Sequence, residues 1–365
     1  MILALAVMSA LTILQTPREW LKRKGPRILL IIGHTIGVTS VALILFVVWR
    51  MKDGPLREAI VWTETAYVTI VMYALFMATV RYFAFGVARH FKHKKVLRIL
   101  SSQAAFFTAV LIISVAYMIP AVHNATTLKT AAYNVQVDKP CDDEALSVAV
   151  VADFHVGAGA RHSELDQMKK LLDEADPDLI LIAGDISDSG SSVYDLEYME
   201  SVLKELNPRY GIYYAEGNHE KECRVDPAPY LQGAGVTILK DEGILLENGV
   251  NLIGRKNALQ ESAEQIMQES GLDASAPTIV FQHRPRGLSQ LDGVADLAVC
   301  AHTHGYCYPF IGISMPYVQD IIYGQRMYGK TNVVVTSGVA EWGYRTKWPS
   351  QSEITIVNMN FKEAA

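Results

Sequence analysis

Side chains that bind metal ions follow five short apolar segments in the C-terminal part of this sequence. Carboxylate, amide and imidazole groups without thiolate suit manganese, iron or zinc better than a structural cysteine site or a calcium cage. The residues, in chain order, are Asp153, His155, Asp185, Asn218, His219, His283, His302 and His304. Their types predict a metal centre.

Two pairs in this set are separated by a single residue, Asp153 from His155 and His302 from His304. Side chains at positions i and i+2 of an extended segment point to the same side. Each pair can therefore present two ligands together. A lone aspartate after a strand is more often a turn former, so the prediction depends on the whole set rather than on any one member.

The elements that must position these residues alternate between apolar runs and amphipathic segments from residue 145 onward. The runs predict strands over 145–153, 178–185, 211–218, 278–283, 296–302, 333–338 and 353–359, with helices that include 163–175 and 195–206. Continuous apolar strands separated by helices are typical of a sheet covered on both faces. The sequence therefore predicts an α/β domain over 145–365, with the polar residues gathered beyond the carboxyl ends of its strands.

The first 122 residues contain long runs without charge, although hydrophobic residues make up only 50% of the whole sequence. These runs predict about four transmembrane helices, over 2–16, 28–49, 60–85 and 99–122, and a polar connector over 123–144. Residues 2–16 are short for a span, but no basic segment or small-residue cleavage site marks them as a cleaved signal peptide. Glu64 could reach the membrane interface or be a functional intramembrane carboxylate.

Two of the loops between these predicted helices are richer in basic residues than the third, and by the positive-inside rule they face the cytoplasm. The residues are Arg18, Lys22, Arg23, Lys24 and Arg27 in one loop, and Arg89, Lys92, Lys94, Lys95 and Arg98 in the other. This predicts a multi-pass integral membrane protein whose C-terminal domain lies outside the cytoplasm. In that oxidising compartment Cys223 and Cys307 could pair or remain free thiols.

Five motifs occur in a fixed order, namely Asp153-Phe154-His155, Gly184-Asp185, Gly217-Asn218-His219-Glu220, His283 and His302-Thr303-His304-Gly305. This series resembles the signature of the calcineurin-like metallophosphoesterase superfamily over about 145–360. Ala301 replaces the usual glycine before the last motif, and Glu220 replaces the commoner aspartate as a hydrogen-bond acceptor. Residues 337–354 resemble a membrane-associated phosphodiesterase branch that includes the YkuE-like and YaeI-like proteins. The resemblance implies a four-layer α/β/β/α sandwich, here preceded by the helical transmembrane bundle.

The resemblance also implies a role for each motif residue. Asp153, His155, Asp185 and His304 would hold one metal ion, and Asp185, Asn218, His283 and His302 would hold the other. Two divalent or trivalent ions (manganese, iron or zinc) would activate a hydroxide that attacks phosphorus. His219 would stabilise charge or protonate the leaving oxygen. His219 and Asp185 are therefore the expected catalytic residues. Arg284 and Arg345 could bind a phosphate oxygen or be ordinary surface arginines.

The expected function is that of a membrane-anchored phosphoesterase acting on a phosphodiester, pyrophosphate or phosphomonoester. Only the membrane tether suggests a lipid-linked substrate, and a tethered enzyme could equally act on a soluble ester. The alternative is a non-catalytic metal-binding sensor or scaffold, against which the full ligand set and His219 argue. A net charge of −5 gives no support for nucleic-acid binding. Four helices without a broken Gly/Pro-rich pair do not favour a transporter.

Overall fold

The computed structural model describes residues 32, 55–157, 159–257, 261–305, 319–342 and 345–362. The chain divides into two compact units, residues 1–122 and 123–365. The predicted spans over 2–16 and 28–49 lie outside the described residues, except for Ile32, which is helical.

Three helices are described in the N-terminal region, α1 (Pro55–His90), α2 (Lys94–Ser101) and α3 (Gln103–Thr126). α1 and α3 are long and apolar enough to cross a membrane, with mean hydropathies of 1.7 and 2.2 over their most apolar windows. The predicted span over 60–85 lies within α1. The predicted span over 99–122 overlaps α3, while residues 99–101 lie in α2, which Ser102, in an extended conformation, separates from α3.

Twelve strands and four further helices are described in the second unit. The strands are β1 (Lys129–Pro140), β2 (Ala145–Val151), β3 (Leu179–Ile182), β4 (Ile212–Tyr214), β5 (Thr237–Ile238), β6 (Glu242–Leu245), β7 (Asn251–Arg255), β8 (Thr278–Gln282), β9 (Leu297–Cys300), β10 (Gly324–Tyr328), β11 (Thr331–Val335) and β12 (Glu353–Lys362). The helices are α4 (His162–Ala175), α5 (Val193–Lys204), α6 (Ala228–Gly233) and α7 (Ala263–Glu269).

The strands form two six-stranded sheets, in the orders β1-β12-β2-β3-β4-β5 and β10-β11-β9-β8-β7-β6. The strands that precede the predicted ligands are parallel within each sheet: β2, β3 and β4 in the first, and β8 and β9 in the second. Their carboxyl ends therefore meet at one edge of each sheet, where Val151 pairs with Ile182 and Phe281 with Val299.

Apolar side chains on alternate positions of β2 enter two different cores. Val148 and Val150 pack with Phe281 of β8 in the core between the sheets. Ala149 and Val151 pack instead against helices α4 and α5 on the outer side of the first sheet. A third core joins α7 to the outer side of the second sheet. This arrangement confirms the four-layer α/β/β/α prediction, and the continuous apolar runs result from burial on both faces.

The segment over 123–144, predicted as a connector, is largely the strand β1, which pairs in parallel with β12 at the edge of the first sheet. Val135 and Val137 are only 1% and 2% exposed, while the residues between and beside them face solvent. The prediction was wrong because a strand with one buried face keeps polar residues at every second position. Cys141, Cys223 and Cys300 are free thiols, and Cys307 lies outside the described residues.

Candidate metal centre

The loops that leave the parallel strands bring six of the seven predicted metal ligands into two clusters. The first ligand group is Asp153, His155 and His304, and the second ligand group is Asp185, His283 and His302. Within each group, one ligand atom per residue lies within 4.8 Å of the others. A hydrogen bond of 3.1 Å from the backbone N–H of His302 to the side-chain Oδ2 of Asp153 links the loop of one sheet to the loop of the other.

Asp185, a member of the second ligand group, also faces the first. Its Oδ2 atom is 2.9 Å from His283 Nε2 and 3.7 Å from His155 Nε2, so one carboxylate oxygen faces an imidazole of each group. Its other oxygen, Oδ1, accepts hydrogen bonds from the backbone N–H groups of Asn218 (2.7 Å) and His219 (2.9 Å). These bonds fix the carboxylate, which leaves Oδ2 directed at the shared space.

Three imidazoles are oriented through Nδ1, so that Nε2 is directed at a carboxylate. His283 Nδ1 lies 2.8 Å from Ala183 O, His304 Nδ1 lies 3.1 Å from Ala340 O, and His155 Nδ1 lies 3.4 Å from Asp188 Oδ2. Such contacts set the tautomer and ring position of metal-binding histidines. His302 differs, because its Nδ1 faces His283 Nε2 at 3.1 Å.

The backbone at the site adopts a conformation that side chains other than glycine rarely take. Five of the eight non-glycine residues with positive φ among those described are ligand-group members: Asp153, His155, Asp185, His302 and His304. A non-glycine residue in this region costs roughly 1–2 kcal/mol, and such residues concentrate at functional sites. The sharp turn at each strand end is what aims these side chains into the shared space.

Two motif glycines are required by the close approach of the loops. A Cβ atom on Gly217 would lie 2.1 Å from Asp185 Oδ1, and one on Gly184 would lie 2.7 Å from Gly217 Cα. Ala301, which stands where the resembling family has glycine, is fully buried in the core between the sheets and is accommodated there. Glu220 Oε1 accepts a 2.8 Å hydrogen bond from Ile186 N, so Glu220 does act as an acceptor beside Asp185.

The site holds buried groups of both charges. Burial raises the pKa of the Asp153 carboxyl to about 6, while the charge of His283 opposes this rise. Burial favours neutral His155, but its contact with Asp188 and the charge of Asp185 outweigh that and raise its pKa to about 9. Burial and the charge of His283 lower the pKa of His302 to about 3. The buried carboxylates thus need positive charge nearby, which cations can supply.

The donor set fits metal ions. Asp153 Oδ1 and His155 Nε2 are buried and have no hydrogen-bond partner within the described part of the chain. Buried polar atoms are ordinarily paired, and here the two atoms face the space that their group encloses. Each group combines one carboxylate with two imidazoles, which suits a transition metal or zinc better than calcium. The residues can therefore hold two metal ions, one at each ligand group.

Of the other predicted site residues, His219, Asn218 and Arg284 lie beside the ligand groups, whereas Arg345 is paired elsewhere. The His219 ring is centred 5.0 Å from that of His155 and 5.4 Å from that of Trp342, beside the first ligand group. Asn218 Oδ1 accepts a 3.2 Å hydrogen bond from Arg284 Nε, which puts Arg284 next to the second group. Arg345 is buried and forms an ion pair with Glu164 at the start of α4. The ion pair with buried Glu164 explains the position of Arg345 without a bound substrate.

The sequence did not predict two residues near the site, Asp188 and Lys347. Asp188, which is fully buried, orients His155, and fully buried Lys347 donates a 3.2 Å hydrogen bond to Ala340 O, the oxygen that also faces His304. Asp188 follows Asp185 by three residues, in a loop whose path cannot be read from spacing. Lys347 carries the charge of an ordinary surface lysine, so its burial leaves no signal in the sequence.

Comparison with known proteins gives a consistent family. Residues 146–306 match the calcineurin-like phosphoesterase family. A protein of Helicobacter pylori (strain J99) named "Uncharacterized metallophosphoesterase" is 27% identical over 236 residues, which cover 61% of this chain and 62% of that protein. A zebrafish protein named "Transmembrane protein with metallophosphoesterase domain" is 25% identical over 277 residues, covering 70% of this chain and 62% of that one. This chain therefore spans about 62% of the length of either relative.

YkuE of Bacillus subtilis, also named a metallophosphoesterase, is 22% identical over 228 residues, covering 59% of this chain and 79% of YkuE. Among solved structures, a dimetal phosphatase from zebrafish has a TM-score of 0.37 and 14% identity, covering 55% of this chain and 89% of that one. The family match and the named relatives agree with the motifs at the strand ends. The chain therefore contains a calcineurin-like metallophosphoesterase domain.

Proposed function

We propose that the second unit hydrolyses phosphoesters with two bound metal ions. The observation that carries the proposal is the place of Asp185 Oδ2, 2.9 Å from an imidazole of the second ligand group and 3.7 Å from one of the first. A carboxylate oxygen in that position can bridge two cations. Paired cations, when bound, lower the pKa of a water molecule and clamp the oxygens of an in-line displacement.

The chain's own residues would then divide the work. Asp153, His155 and His304 would hold one cation, and His283, His302 and Asn218 would hold the other, with Asp185 shared. His219, held by its backbone bond to Asp185 Oδ1, donates a proton to the leaving oxygen or stabilises its charge. Arg284, beside Asn218, binds a non-bridging phosphate oxygen.

The test compares two variants in the full chain loaded with manganese. Asp185→Asn should abolish hydrolysis of bis(p-nitrophenyl) phosphate and p-nitrophenyl phosphate and reduce the bound metal. His219→Ala should lower turnover about 100-fold or more while the metal content stays at two ions. Hydrolysis at the wild-type rate by either variant would remove the assignment. Two bound ions with no hydrolysis of any phosphoester would favour the metal-binding sensor or scaffold instead.

We also propose that the chain is anchored in a membrane, with the second unit outside the cytoplasm and a substrate near or in the membrane surface. α1 and α3 support the anchor, and the relatives named as transmembrane proteins agree with it. The distribution of basic residues supports the orientation. Alkaline phosphatase fused after residue 365 should be active and β-galactosidase at the same place inactive. The reverse result would refute the orientation.

A further inference from the structure

Two arginines occupy a tight turn directly after the ligand His283. The turn is Arg284-Pro285-Arg286, and Arg286 N donates a 2.9 Å hydrogen bond to Arg284 O. Gln282 Nε2 donates to both Arg284 O (2.7 Å) and Arg286 O (3.0 Å), and Asp320 N donates to Pro285 O at 3.1 Å. All three carbonyl groups of the turn are therefore held.

Gln282 is itself fixed by a third arginine, Arg255, which is buried. Arg255, only 1% exposed, donates from Nη1 to Gln282 Oε1 at 2.7 Å and from Nη2 to Glu261 O at 2.8 Å. An arginine buried at this depth needs such acceptors, because an unpaired buried charge is costly. The chain thus uses a buried polar network to fix a surface turn, which preorganises the two arginines of that turn.

Neutral groups hold both guanidinium groups of the turn. Arg284 Nε bonds to Asn218 Oδ1 at 3.2 Å, and Arg286 Nε bonds to Gln319 Oε1 at 3.3 Å. Within the described ranges, neither arginine forms an ion pair with a carboxylate. Burial lowers the pKa of Arg284, and the like charge of Arg286 lowers it further. Two adjacent cations held by amide oxygens favour an anion as the missing partner.

We propose that this arginine turn is a subsite for a second phosphate group of the substrate. Arg284, beside Asn218, contacts the phosphate that is cleaved, and the more exposed Arg286 binds a phosphate further along the same molecule. This inference rests on the proposed hydrolase function and narrows its substrates to phosphoesters that carry another phosphate. The second phosphate can belong to a soluble ester or to a lipid headgroup, since both present the same oxygens.

The experiment compares substrates that differ by one phosphate. The manganese-loaded full chain is assayed with two substrates, thymidine 5′-(p-nitrophenyl phosphate) and the same compound carrying a 3′-phosphate. Wild type should favour the substrate with the 3′-phosphate about 10-fold in kcat/KM, which corresponds to about 1.4 kcal/mol. Arg286→Gln should lose this preference and Arg286→Lys should keep part of it. Arg326→Gln, at an exposed position on β10, is the matched control and should keep all of it.

A lipid arm and a binding arm complete the test. Phosphatidylinositol 4-phosphate and phosphatidylinositol in mixed micelles show whether the preference extends to headgroups. Calorimetry with thymidine 3′,5′-bisphosphate and thymidine 5′-monophosphate measures the same preference without turnover. If Arg286→Gln removes a preference that wild type shows in any arm, the result supports the subsite. This holds even if neither ester is hydrolysed and the hydrolase proposal fails. Hydrolysis without any preference, or a preference unchanged in Arg286→Gln, overturns the subsite and leaves the hydrolase proposal intact.

Discussion

Lys347 and Ala340 are joined by a hydrogen bond of 3.2 Å from Nζ to the carbonyl oxygen, and both residues are buried. The same carbonyl lies 3.1 Å from Nδ1 of His304, and Ala340 N donates to Asp153 O at 3.2 Å. Lys347 also donates to Ser337 O at 2.6 Å. A buried cation therefore fixes the loop that supports two members of the first ligand group.

Lys347→Met should destabilise the second unit. The methionine fills similar space but leaves the carbonyls of Ser337 and Ala340 without this donor, and an unsatisfied buried group costs roughly 1–3 kcal/mol. We expect the free energy of unfolding in urea to fall by about that amount, and zinc or manganese to bind more weakly at one of the two sites. Lys330→Met, at an exposed position, should change neither quantity. An unchanged unfolding free energy in Lys347→Met would show that the bond contributes nothing.

Gly217→Ala should displace Asp185. The new Cβ atom would lie 2.1 Å from Asp185 Oδ1 and 2.4 Å from Asp185 N, so the carboxylate or the backbone must move. A displacement of this size in a reacting centre lowers turnover about 100-fold, and metal analysis should find fewer than two ions. Gly249→Ala is the control: φ is +83° there, with no atom within 4 Å of the new methyl group. It should cost stability alone and leave the metal content unchanged.

Asp188→Ala should weaken metal binding at the first ligand group. Asp188 Oδ2 lies 3.4 Å from His155 Nδ1, and loss of such an orienting group typically reduces metal affinity about 10–100-fold. Asp188→Asn keeps an oxygen acceptor and should lose less. Competition with a chromogenic chelator gives the two affinities separately. Equal affinities in wild type and Asp188→Ala would refute this role.

Tyr210→Phe should make the stability of the second unit less dependent on acid pH. The hydrogen bond from Tyr210 Oη lowers the pKa of the Asp143 carboxyl, with smaller contributions from Asn248 and Arg209. A lowered carboxyl pKa stabilises the fold above the unfolded-state value of about 3.9, and this contribution is lost as pH falls through the folded-state value. The difference in unfolding free energy between wild type and Tyr210→Phe should be present at pH 6 and shrink at pH 3. Tyr230→Phe serves as the control, and a difference independent of pH would contradict the assignment.

The strand-end motifs could be predicted because each obeys a local rule that the fold later uses. A buried parallel strand appears in the sequence as a continuous apolar run, and ligand groups are found at its carboxyl end. Asp153, Asp185 and His283 can therefore be predicted from the sequence. The positive φ values of Asp153, His155, Asp185, His302 and His304 could not be predicted, because they result from loops that hold one another. No pattern in the sequence requires them.

The structure departs from the sequence expectation where burial depends on a distant partner. β1 is polar at every second position, and its pairing partner β12 lies at the other end of the second unit. Arg345 has the type expected of a phosphate ligand, but Glu164, 181 residues away in sequence, is its partner. Arg286 gave no signal of its own, since its importance comes from the turn that Gln282 and Arg255 hold.

β12 has a consequence for synthesis of the chain. This strand lies between β1 and β2 in the first sheet, pairing in parallel with one and antiparallel with the other. Residues 353–362 are therefore needed before the strand that leads to Asp153 has its neighbour on that side. On the ribosome, the first sheet stays open until these residues have emerged from the exit tunnel, so the centre can mature only after residues 353–362 have been translated.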